Sequence, residues 1–369
     1  MKILIVHHCD SWGGAGVSLR DVCRMLVPMH DVTVCLPHLY SDVDSELRKI
    51  DGIKITSIES DMGMISAYNG GPRFISRTFA KSFLKTYESR SKLRSILDEK
   101  YDLVILNSIT LAWAAKLVKK MGSKAVVYVR ETKVNNPGYY LCRHLINKYC
   151  DGVLFISDHD KKAASFKAEN QYVVRDCLDF NLYETALTRD EACNRLGLNK
   201  DKFNLLYVGG DDELKGYSVM LAAMSRITDK KVQLIVAGNV REDKKMASES
   251  ITYLGRVFDM PTLYRASDVL VFPSTKGHQA RPVFEAGAAG LPVIISDFPE
   301  TADEVRAGVN GLVFEPCDAT TLANKIKEVH NSVEFAKQLG AKNKEYAKER
   351  HDFSKVKTEL FRIFGSWHF

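Results

Sequence analysis

Short apolar runs separated by helical stretches dominate the sequence and restrict what it can fold into. Seven runs lie between residues 2 and 176, namely KILIVHHC, DVTVCLP, IKITSIE, DLVILNS, KAVVYVRE, GVLFIS and QYVVRD. Six more lie between residues 204 and 316, namely NLLYVGG, KVQLIVAG, ITYLGRV, DVLVFPS, PVIISD and GLVFEP. Most lack the apolar–polar alternation of a half-exposed strand, which indicates strands buried on both faces. The pattern predicts an α/β fold with two mostly parallel sheets.

The length and the break in this pattern predict two domains. A chain of 369 residues is too long for one ordinary hydrophobic core. The polar connector NLYETALTRDEACNRLGLNKDKF separates the two groups of strands. Residues from about 319 to 369 form a charged helical region, and it ends in FRIFGSWHF, whose aromatic side chains need a surface to pack against. We expect the two α/β domains to face each other across a cleft, with functional residues just after the strands.

Composition excludes several classes of protein. The chain has 52 Lys and Arg residues against 46 Asp and Glu residues, and this mild excess does not indicate a nucleic-acid partner. Its eight cysteines show no CxxC or Cys/His ligand spacing, so reduced thiols in a cytosolic protein are expected. The first residues do not form a signal peptide, and no run has the length of a transmembrane helix. We expect a cytoplasmic protein that can also sit peripherally on the inner face of the membrane.

The turn after the first strand, DSWGGAG, is a candidate anion site. Its glycines at positions 13, 14 and 16 permit positive φ and close backbone approach. The helix that follows directs free N–H groups and the positive end of its dipole at the turn, which suits a phosphate. The spacing is not GxGxxG and no acid ends the second strand, so a dinucleotide site is not expected. A plain strand–helix turn is the alternative.

A similar turn follows the first strand of the second domain, in YVGGDDELKG. Gly209 and Gly210 end the strand, and Lys215 precedes a helix. A lysine at a helix N-terminus is electrostatically unfavourable for that helix, and a bound phosphate would remove the conflict. The alternative is a solvated surface lysine.

A single acid, Glu285, occurs on a helix that otherwise consists largely of Ala and Gly, in HQARPVFEAGAAG. Small residues allow close approach, and an ionised carboxylate accepts the two hydroxyl protons of a ribose. A partner for the helix dipole, or a buried acid paired with an arginine, explains the residue equally well.

Three segments together resemble family 4 glycosyltransferases: ITYLGRVFDMPTLYRASDVLVFPST, ARPVFEAGAAGLPVIISD and ETADEVRAGVNGLVFEPCDATTLANKI. The resemblance extends back through Lys215-Gly216 and CDGVLFIS to the WGGAG turn, and so covers nearly the whole chain. It implies the GT-B fold, with two Rossmann-like domains facing across a cleft. The implied segments are an acceptor-side domain at 1–180, a nucleotide-sugar domain at 181–350 and a C-terminal helix at 351–369 that packs back on the first domain.

The resemblance also implies roles for matching positions. Glu285 matches the second acid of the E-x7-E motif, which holds the ribose of the nucleotide, and Lys215 matches the lysine that neutralises the diphosphate. The implied catalytic residues are Arg130, Glu131, Lys215 and Glu285. The implied donor-binding residues are Gly13, Gly14, Gly209, Gly210, Lys215, Asn239, Arg256, His278, Ala280, Arg281, Pro282, Val283 and Glu285. The reaction implied is transfer of a sugar from a UDP- or GDP-sugar with retention and without a metal or cofactor, in surface polysaccharide or lipopolysaccharide synthesis.

Three positions depart from the family pattern. Gly277 stands where the first acid of E-x7-E, a contact to the donor sugar, would fall. Gly210 stands where the family has an arginine, and Arg281 is a candidate substitute for that cation. Arg130, in YVRET, stands where a histidine ends a strand, and Arg130 with Glu131 either replaces its role or forms an ordinary ion pair.

Two further features of the sequence bear on metal binding and on membrane binding. Asp158-His-Asp160 resembles a metal-binding DxD, but it opens a helix, so the acids are predicted to cap the helix and no metal is expected. Residues 73–97 interleave seven Lys and Arg residues with aromatic residues. This segment either lies on an anionic membrane or meets a lipid-linked acceptor, or it is a helix that packs its aromatic residues on the sheet.

Two alternatives to the transferase remain open from the sequence. A non-catalytic relative that binds only nucleotide or a partner is suggested by Gly277 and Gly210. A nucleotide-sugar epimerase of the same fold would need additional acids and a histidine for proton abstraction, which Arg130 and Gly277 disfavour. A glycan or lipid-linked molecule is the expected acceptor of the transferase.

Overall fold

The computed structural model describes residues 1–67, 77–184 and 187–367, which form two compact units. The first unit comprises Met1–Cys177 together with Val356–Phe369, and the second comprises Leu178–Lys355.

The first unit contains a seven-stranded sheet in which every neighbouring pair of strands is parallel. The strand order across the sheet is β3-β2-β1-β4-β5-β6-β7. The strands are β1 (Lys2–Val6), β2 (Asp31–Leu36), β3 (Lys54–Ser57), β4 (Leu103–Leu106), β5 (Lys124–Val129), β6 (Gly152–Phe155) and β7 (Gln171–Val173).

The second unit contains a six-stranded parallel sheet with the order β10-β9-β8-β11-β12-β13. The strands are β8 (Phe203–Val208), β9 (Val232–Ala237), β10 (Ile251–Gly255), β11 (Val269–Phe272), β12 (Val293–Ser296) and β13 (Leu312–Phe314). Each strand of the two sheets lies within one of the apolar runs given above, except that β8 begins one residue earlier, at Phe203. The prediction of two parallel-sheet, Rossmann-like domains is therefore confirmed.

Helices connect the strands in both units. Those of the first unit are α1 (Gly14–Leu26), α2 (Asp42–Leu47), α3 (Arg77–Leu97), α4 (Ala115–Lys120), α5 (Pro137–Tyr149) and α6 (Asp158–Ala164). The second unit has α7 (Arg189–Leu196), α8 (Tyr217–Met224), α9 (Met260–Arg265), α10 (Arg281–Ala288), α11 (Ala319–His330) and α12 (Val333–His351), and α13 (Phe353–Ser366) follows. None of the helices in the described ranges is long and apolar enough to span a bilayer.

Burial of the strands on both faces explains why the apolar runs lack alternation. Successive side chains of a strand point to opposite faces of the sheet. In β1, Ile3 and Ile5 therefore lie on one face and Leu4 and Val6 on the other, and all four are fully buried. Polar side chains consequently occur where the strands end.

The start of α6 shows how the Asp158-His-Asp160 segment is used. Ser157, rather than an aspartate, caps the helix by accepting a hydrogen bond from the backbone N–H of Asp160. Asp158 and Asp160 lie in the first turn, where their charge is favourable for the helix dipole, and Asp158 pairs with Arg175. The segment has a structural role, as predicted, although the capping residue is different.

The C-terminal aromatic residues pack within the first unit. Trp367 is buried, stacks on Phe364 at a ring separation of 5.4 Å and meets Tyr172 edge-on at 5.8 Å. Gly152, the first residue of β6, makes room for the indole, because a Cβ atom there would lie 2.8 Å from it. The end of the chain thus completes the core beside β6 and β7.

We expect Trp367→Ala to destabilise the first unit by about 3–5 kcal/mol, because it removes a buried indole and leaves a cavity. Urea unfolding followed by circular dichroism measures the loss. The control is Tyr87→Ala, which truncates an exposed aromatic residue. Equal stability of Trp367→Ala and the control would contradict this packing role.

Candidate active site

In an open parallel sheet, ligands bind outside the carboxyl ends of the strands, at the point where the strand order reverses. That point lies between β1 and β4 in the first unit and between β8 and β11 in the second. The predicted site residues fall at or near the carboxyl ends of these and neighbouring strands. Each unit therefore presents its own group of candidate residues.

In the first unit, Arg130 is the centre of a cluster that joins residues after β4, β5 and β7. Its Nε donates to Oδ1 of Asn107, which follows β4, at 2.9 Å. Its Nη1 forms an ion pair with Asp176, which follows β7, at 2.7 Å. The guanidinium also lies over the ring of Tyr128, 4.0 Å from its centroid.

Arg130 is a buried charge held by these partners. Its side chain is only 8% exposed. Burial lowers the pKa of the guanidinium, but the Asp176 carboxylate and Tyr128 outweigh this effect, so that its pKa lies above the ordinary value. In the part of the chain that the structure describes, its Nη2 atom is buried and has no hydrogen-bond partner. An anionic or hydroxyl-bearing ligand would satisfy this donor.

The tautomer of His7 follows from its hydrogen bond to Asn107. The amide Nδ2 of Asn107 lies 3.0 Å from Nδ1 of His7, and an amide nitrogen only donates. Nδ1 of His7 is therefore the acceptor and the ring is neutral. Burial, His8 and Arg130 lower the pKa of His7 well below its ordinary value, in agreement with this assignment.

Glu131 organises the backbone and does not form the ion pair with the neighbouring Arg130 that the sequence allowed. Its Oε2 accepts from the backbone N–H groups of Arg130 and Ile109, both at 3.1 Å. Its Oε1 accepts from the hydroxyl of Ser108. Glu131 thereby fixes the start of the 3-10 helix at Ile109–Ala114.

The glycines after β1 border open space. Gly13 has extended backbone, with φ of −166°, and α1 begins at Gly14 without a side-chain cap. The positive φ that glycines permit is not used at positions 13, 14 or 16. Cβ atoms built on Gly13 and Gly14 would meet nothing within 4 Å, so the helix N-terminus is open to a ligand. The predicted anion site at this turn is compatible with this geometry, because an anion could reach the helix N-terminus. The positive φ that glycine permits plays no part in it.

In the second unit, the turn after β8 does need glycine. Gly210 has φ of +59°, and Gly216, before α8, has φ of +84°. A Cβ atom on Gly210 would overlap the backbone of Asn239, whose carbonyl accepts from Asp211 N–H at 3.1 Å. Gly210, Gly238 and Asn239 therefore lie in direct contact at the ends of β8 and β9.

Lys215 lies at this turn without a carboxylate partner. Its aliphatic chain packs near Gly209, and its ammonium forms no ion pair with any residue in the described ranges. The neighbouring acids are occupied elsewhere: Asp211 pairs with Arg241 at 2.7 Å and Glu213 with Lys244 at 3.4 Å. Gly216, the N-cap of α8, supplies no side-chain cap, but the N–H of Ser218 in the first turn already donates to the Glu213 carboxylate at 3.3 Å. The feature suited to an anion is therefore the ammonium of Lys215, which has no paired carboxylate in the described ranges.

Glu285 is buried on α10, and both of its carboxylate oxygens are engaged. Oε1 accepts from Nε of Arg281 at 2.9 Å, and Oε2 accepts from the hydroxyl of Tyr264 at 2.9 Å. Burial and then the charge of Glu285 raise the pKa of Tyr264 well above its ordinary value, so the phenol remains a donor. Glu285 therefore forms the ion pair with an arginine that the sequence allowed as an alternative explanation of this acid. A carboxylate has about four acceptor positions, so acceptor positions remain for a diol.

No side chain of the loop before α10 caps the start of that helix through its N-cap residue. Ala280 is the N-cap without a side-chain hydrogen bond, and Pro282 and Val283 lie in the first turn. His278, in the same loop, donates from Nδ1–H to the carbonyl of Lys276 at 3.0 Å, because a carbonyl oxygen only accepts. Burial lowers the pKa of His278, the Lys276 carbonyl raises it, and Lys215 lowers it further.

Arg256 follows β10, and its guanidinium lies 4.9 Å from the ring centroid of the exposed Phe258. Its place at a strand end is as predicted, and its role in donor binding stays a prediction.

One possible set of metal ligands occurs in the described residues: His7, His8 and Cys9, with ligand atoms within 4.8 Å of one another. The fit to a cation is poor. Nδ1 of His7 accepts from Asn107, so the proton of the neutral ring is on Nε2, the nitrogen that lies 3.3 Å from Sγ of Cys9. The positive charge of Arg130 also acts on both histidines. Burial also raises the pKa of Cys9 to about 11, which disfavours the thiolate that a metal would bind.

Sequence reasoning missed Asn107, Asp176 and Tyr264. Asn107 and Asp176 follow the runs DLVIL and QYVV, so the rule that functional residues come after strands could have identified them. Tyr264 carries no such signal, because its contact with Glu285 joins α9 to α10.

Two families match the chain. "Glycosyl transferases group 1" matches residues 188–346, and "Glycosyltransferase Family 4" matches residues 12–165. Together they cover most of both units.

Two proteins and one solved structure show how similar the chain is to individual relatives. An uncharacterized 41.2 kDa protein in the cps region of Klebsiella pneumoniae is 23% identical over 74% of this chain and 82% of its own length. D-inositol 3-phosphate glycosyltransferase 1 of Catenulispora acidiphila is 29% identical, but the match spans only 43% of each chain. The crystal structure of Anabaena Alr3699/HepE in complex with UDP and glucose matches with a TM-score of 0.82 and 19% identity, over 99% of this chain and 100% of that one. This likeness establishes the fold.

We expect Asp176→Ala to destabilise the first unit by about 3–5 kcal/mol, because it leaves a buried guanidinium without its counter-charge. Urea unfolding measures the change. The control, Glu359→Ala, breaks an exposed pair with Arg362 and should change stability little. Similar small effects in both variants would show that Arg130 does not depend on Asp176.

Proposed function

Because this chain belongs to the glycosyltransferases described as group 1 and family 4, we propose that it transfers a sugar from a nucleotide-sugar donor to an acceptor hydroxyl with retention of anomeric configuration. The observation that carries the proposal is Lys215. It is a cation without an ion-pair partner among the described residues, and it lies beside a glycine turn at the switch point of the second sheet. The diphosphate of a donor is the anion that fits this position.

The second unit would hold the donor. Lys215 and the backbone at the start of α10 would stabilise the charge that develops on the leaving diphosphate. These groups are held in place by the fold before the substrate binds, so little reorganisation is needed. Arg281 would add its positive charge near the diphosphate while its Nε stays bonded to Glu285. Glu285 would accept from the ribose hydroxyls, with Tyr264 and Arg281 fixing its orientation.

The first unit would serve the acceptor and the sugar. Gly13 and Gly14 leave the N-terminus of α1 accessible, and Nη2 of Arg130 offers a buried donor. We assign Glu131 a positioning role, because its oxygens are used by the backbone at the end of β5. No enzymic nucleophile is proposed, and the acceptor proton would pass to the leaving phosphate.

The donor class, cofactor requirement and pathway are also part of the proposal. A UDP-sugar is favoured over a GDP-sugar because the Anabaena protein of the same fold was crystallised with UDP. Neither a metal nor a cofactor is included, since the histidine–cysteine group described above is poorly suited to a cation. The similarity to a protein of a cps region favours assembly of a bacterial surface polysaccharide, on a glycan or lipid-linked acceptor.

A peripheral membrane contact through α3 is the second part of the proposal. Residues 73–76 of the predicted basic segment lie outside the described residues. Of the remainder, Leu93 and Leu97 pack in the core, whereas Leu84 and Tyr87 are 70% and 80% exposed beside Lys81 and Lys85. Exposed apolar side chains flanked by lysines suit an anionic bilayer surface.

We expect one nucleotide among UDP, GDP, ADP, CMP and dTDP, with UDP favoured, to stabilise the protein in thermal unfolding. At a hundredfold its Kd the gain is about 2.7 kcal/mol. Glu285→Gln should lose most of this gain, because an amide is a poorer acceptor for two hydroxyls. Tyr264→Phe should retain more of it than Glu285→Gln does, since the carboxylate remains and Arg281 still holds it. Absence of stabilisation by any of the five would contradict the transferase and favour a non-catalytic relative that binds only a partner.

We expect the protein to co-sediment with phosphatidylcholine vesicles that contain about 30% phosphatidylglycerol, and less so at high salt. Leu84→Ser/Tyr87→Ser should reduce the bound fraction at least about fivefold, because the apolar contacts are lost. Met29→Ser, at another exposed apolar residue, serves as the control. Equal binding by the double variant and the control would refute a contact through α3.

A further inference from the structure

The carboxylate of Glu300 occupies the space beside Gly277. A Cβ atom built on Gly277 would overlap the carboxyl group of Glu300, with even the farther oxygen only 2.9 Å away. The backbone of Gly277 does not have positive φ, so its conformation does not require glycine. What requires glycine at this position is the acid that packs against it.

The chain fixes Glu300 at this place through the loop after β12. Thr301, which is buried, donates from its hydroxyl to the carbonyl of Ser296 at 3.1 Å. Ser296, the last residue of β12, donates to the carbonyl of Ser274 at 2.7 Å and so joins this loop to the one after β11. Gln279 donates from Nε2 to the backbone carbonyl of Glu300 at 2.7 Å. The loop that carries Glu300 is thereby tied to the loop that leads into α10.

The electrostatics place Glu300 with the donor-binding residues of the second unit. The Glu300 carboxylate and the Lys215 ammonium act on the same imidazole, that of His278, and shift its pKa in opposite directions. Glu300 is therefore near the residues proposed to hold the diphosphate. A carboxylate would repel the phosphates themselves, so its partner is expected to be a neutral group next to them.

We propose that Glu300 binds hydroxyl groups of the donor sugar, from the position that Gly277 leaves open. The sugar is the neutral, hydroxyl-rich group attached to the diphosphate, and an ionised carboxylate can accept from two neighbouring hydroxyls. The inference rests on the proposed function and deepens it. Position 277 carries no acid in this chain, and Glu300, from the loop after β12, places its carboxylate beside that position instead.

The test separates binding of the sugar from binding of the nucleotide. Titration calorimetry is carried out with UDP and GDP, and with UDP-glucose, UDP-galactose, UDP-N-acetylglucosamine and GDP-mannose. Glu300→Gln should raise the Kd of the nucleotide-sugar that the wild type binds best by about tenfold or more, since a charged hydrogen-bond acceptor is lost. The Kd of the parent nucleotide should change less than about twofold. Glu334→Gln, an exposed acid on α12, is the matched control and should bind as wild type.

Gly277→Ala provides a second variant that changes no charge. Its methyl group would displace the Glu300 carboxylate, so it should weaken the nucleotide-sugar selectively, as Glu300→Gln does. Wild-type affinity for the nucleotide-sugar in either variant would overturn the assignment. Equal weakening of nucleotide and nucleotide-sugar, with a lower Tm, would also overturn it and indicate a structural role. If the wild type binds none of the six compounds, the proposed transferase function itself fails.

Discussion

Burial of the central strands of both sheets on both faces is the constraint on which the rest of the structure depends. These strands have no exposed face, so charged side chains are concentrated at the strand ends and in the loops after them. In the first unit this places Asn107 after β4 and Arg130 after β5. In the second it places Lys215 and His278 on loops that follow β8 and β11. The candidate residues are thus concentrated by topology, although they are far apart in the sequence.

Confinement at a buried edge has an electrostatic consequence, because a desolvated charge needs a partner. Arg130 has Asp176, and Glu285 has Arg281 and Tyr264. Lys215 differs, since it is half-buried and no carboxylate in the described ranges pairs with it. The paired charges are held in fixed orientations, whereas the unpaired one retains its attraction for an incoming anion. This difference indicates that the paired charges serve to position groups in the site, whereas Lys215 serves to bind the anion.

The strands and their parallel arrangement could be predicted because burial on both faces leaves a continuous apolar pattern in the sequence. The glycine turns, Lys215 and Glu285 could be identified because each departs from what a purely structural loop or helix prefers. The positive φ permitted at Gly13 and Gly14 was not used, since sequence shows only what a glycine allows. Asp176, Tyr264 and Glu300 depend on contacts between separate loops and helices, and such contacts follow from the packing of the fold rather than from local spacing.

The two glycines that replace expected charged residues are not vacant positions. At Gly210 the backbone of Asn239 lies where a Cβ atom would be, and the positive φ disfavours any other residue. At Gly277 the carboxylate of Glu300 lies in the corresponding space. Loss of a side chain in an abandoned site leaves a cavity or solvent, because nothing selects a replacement. Close packing by specific neighbours at both positions, one of them an acid, instead favours a site rebuilt for a particular donor, and it weighs against the non-catalytic alternative.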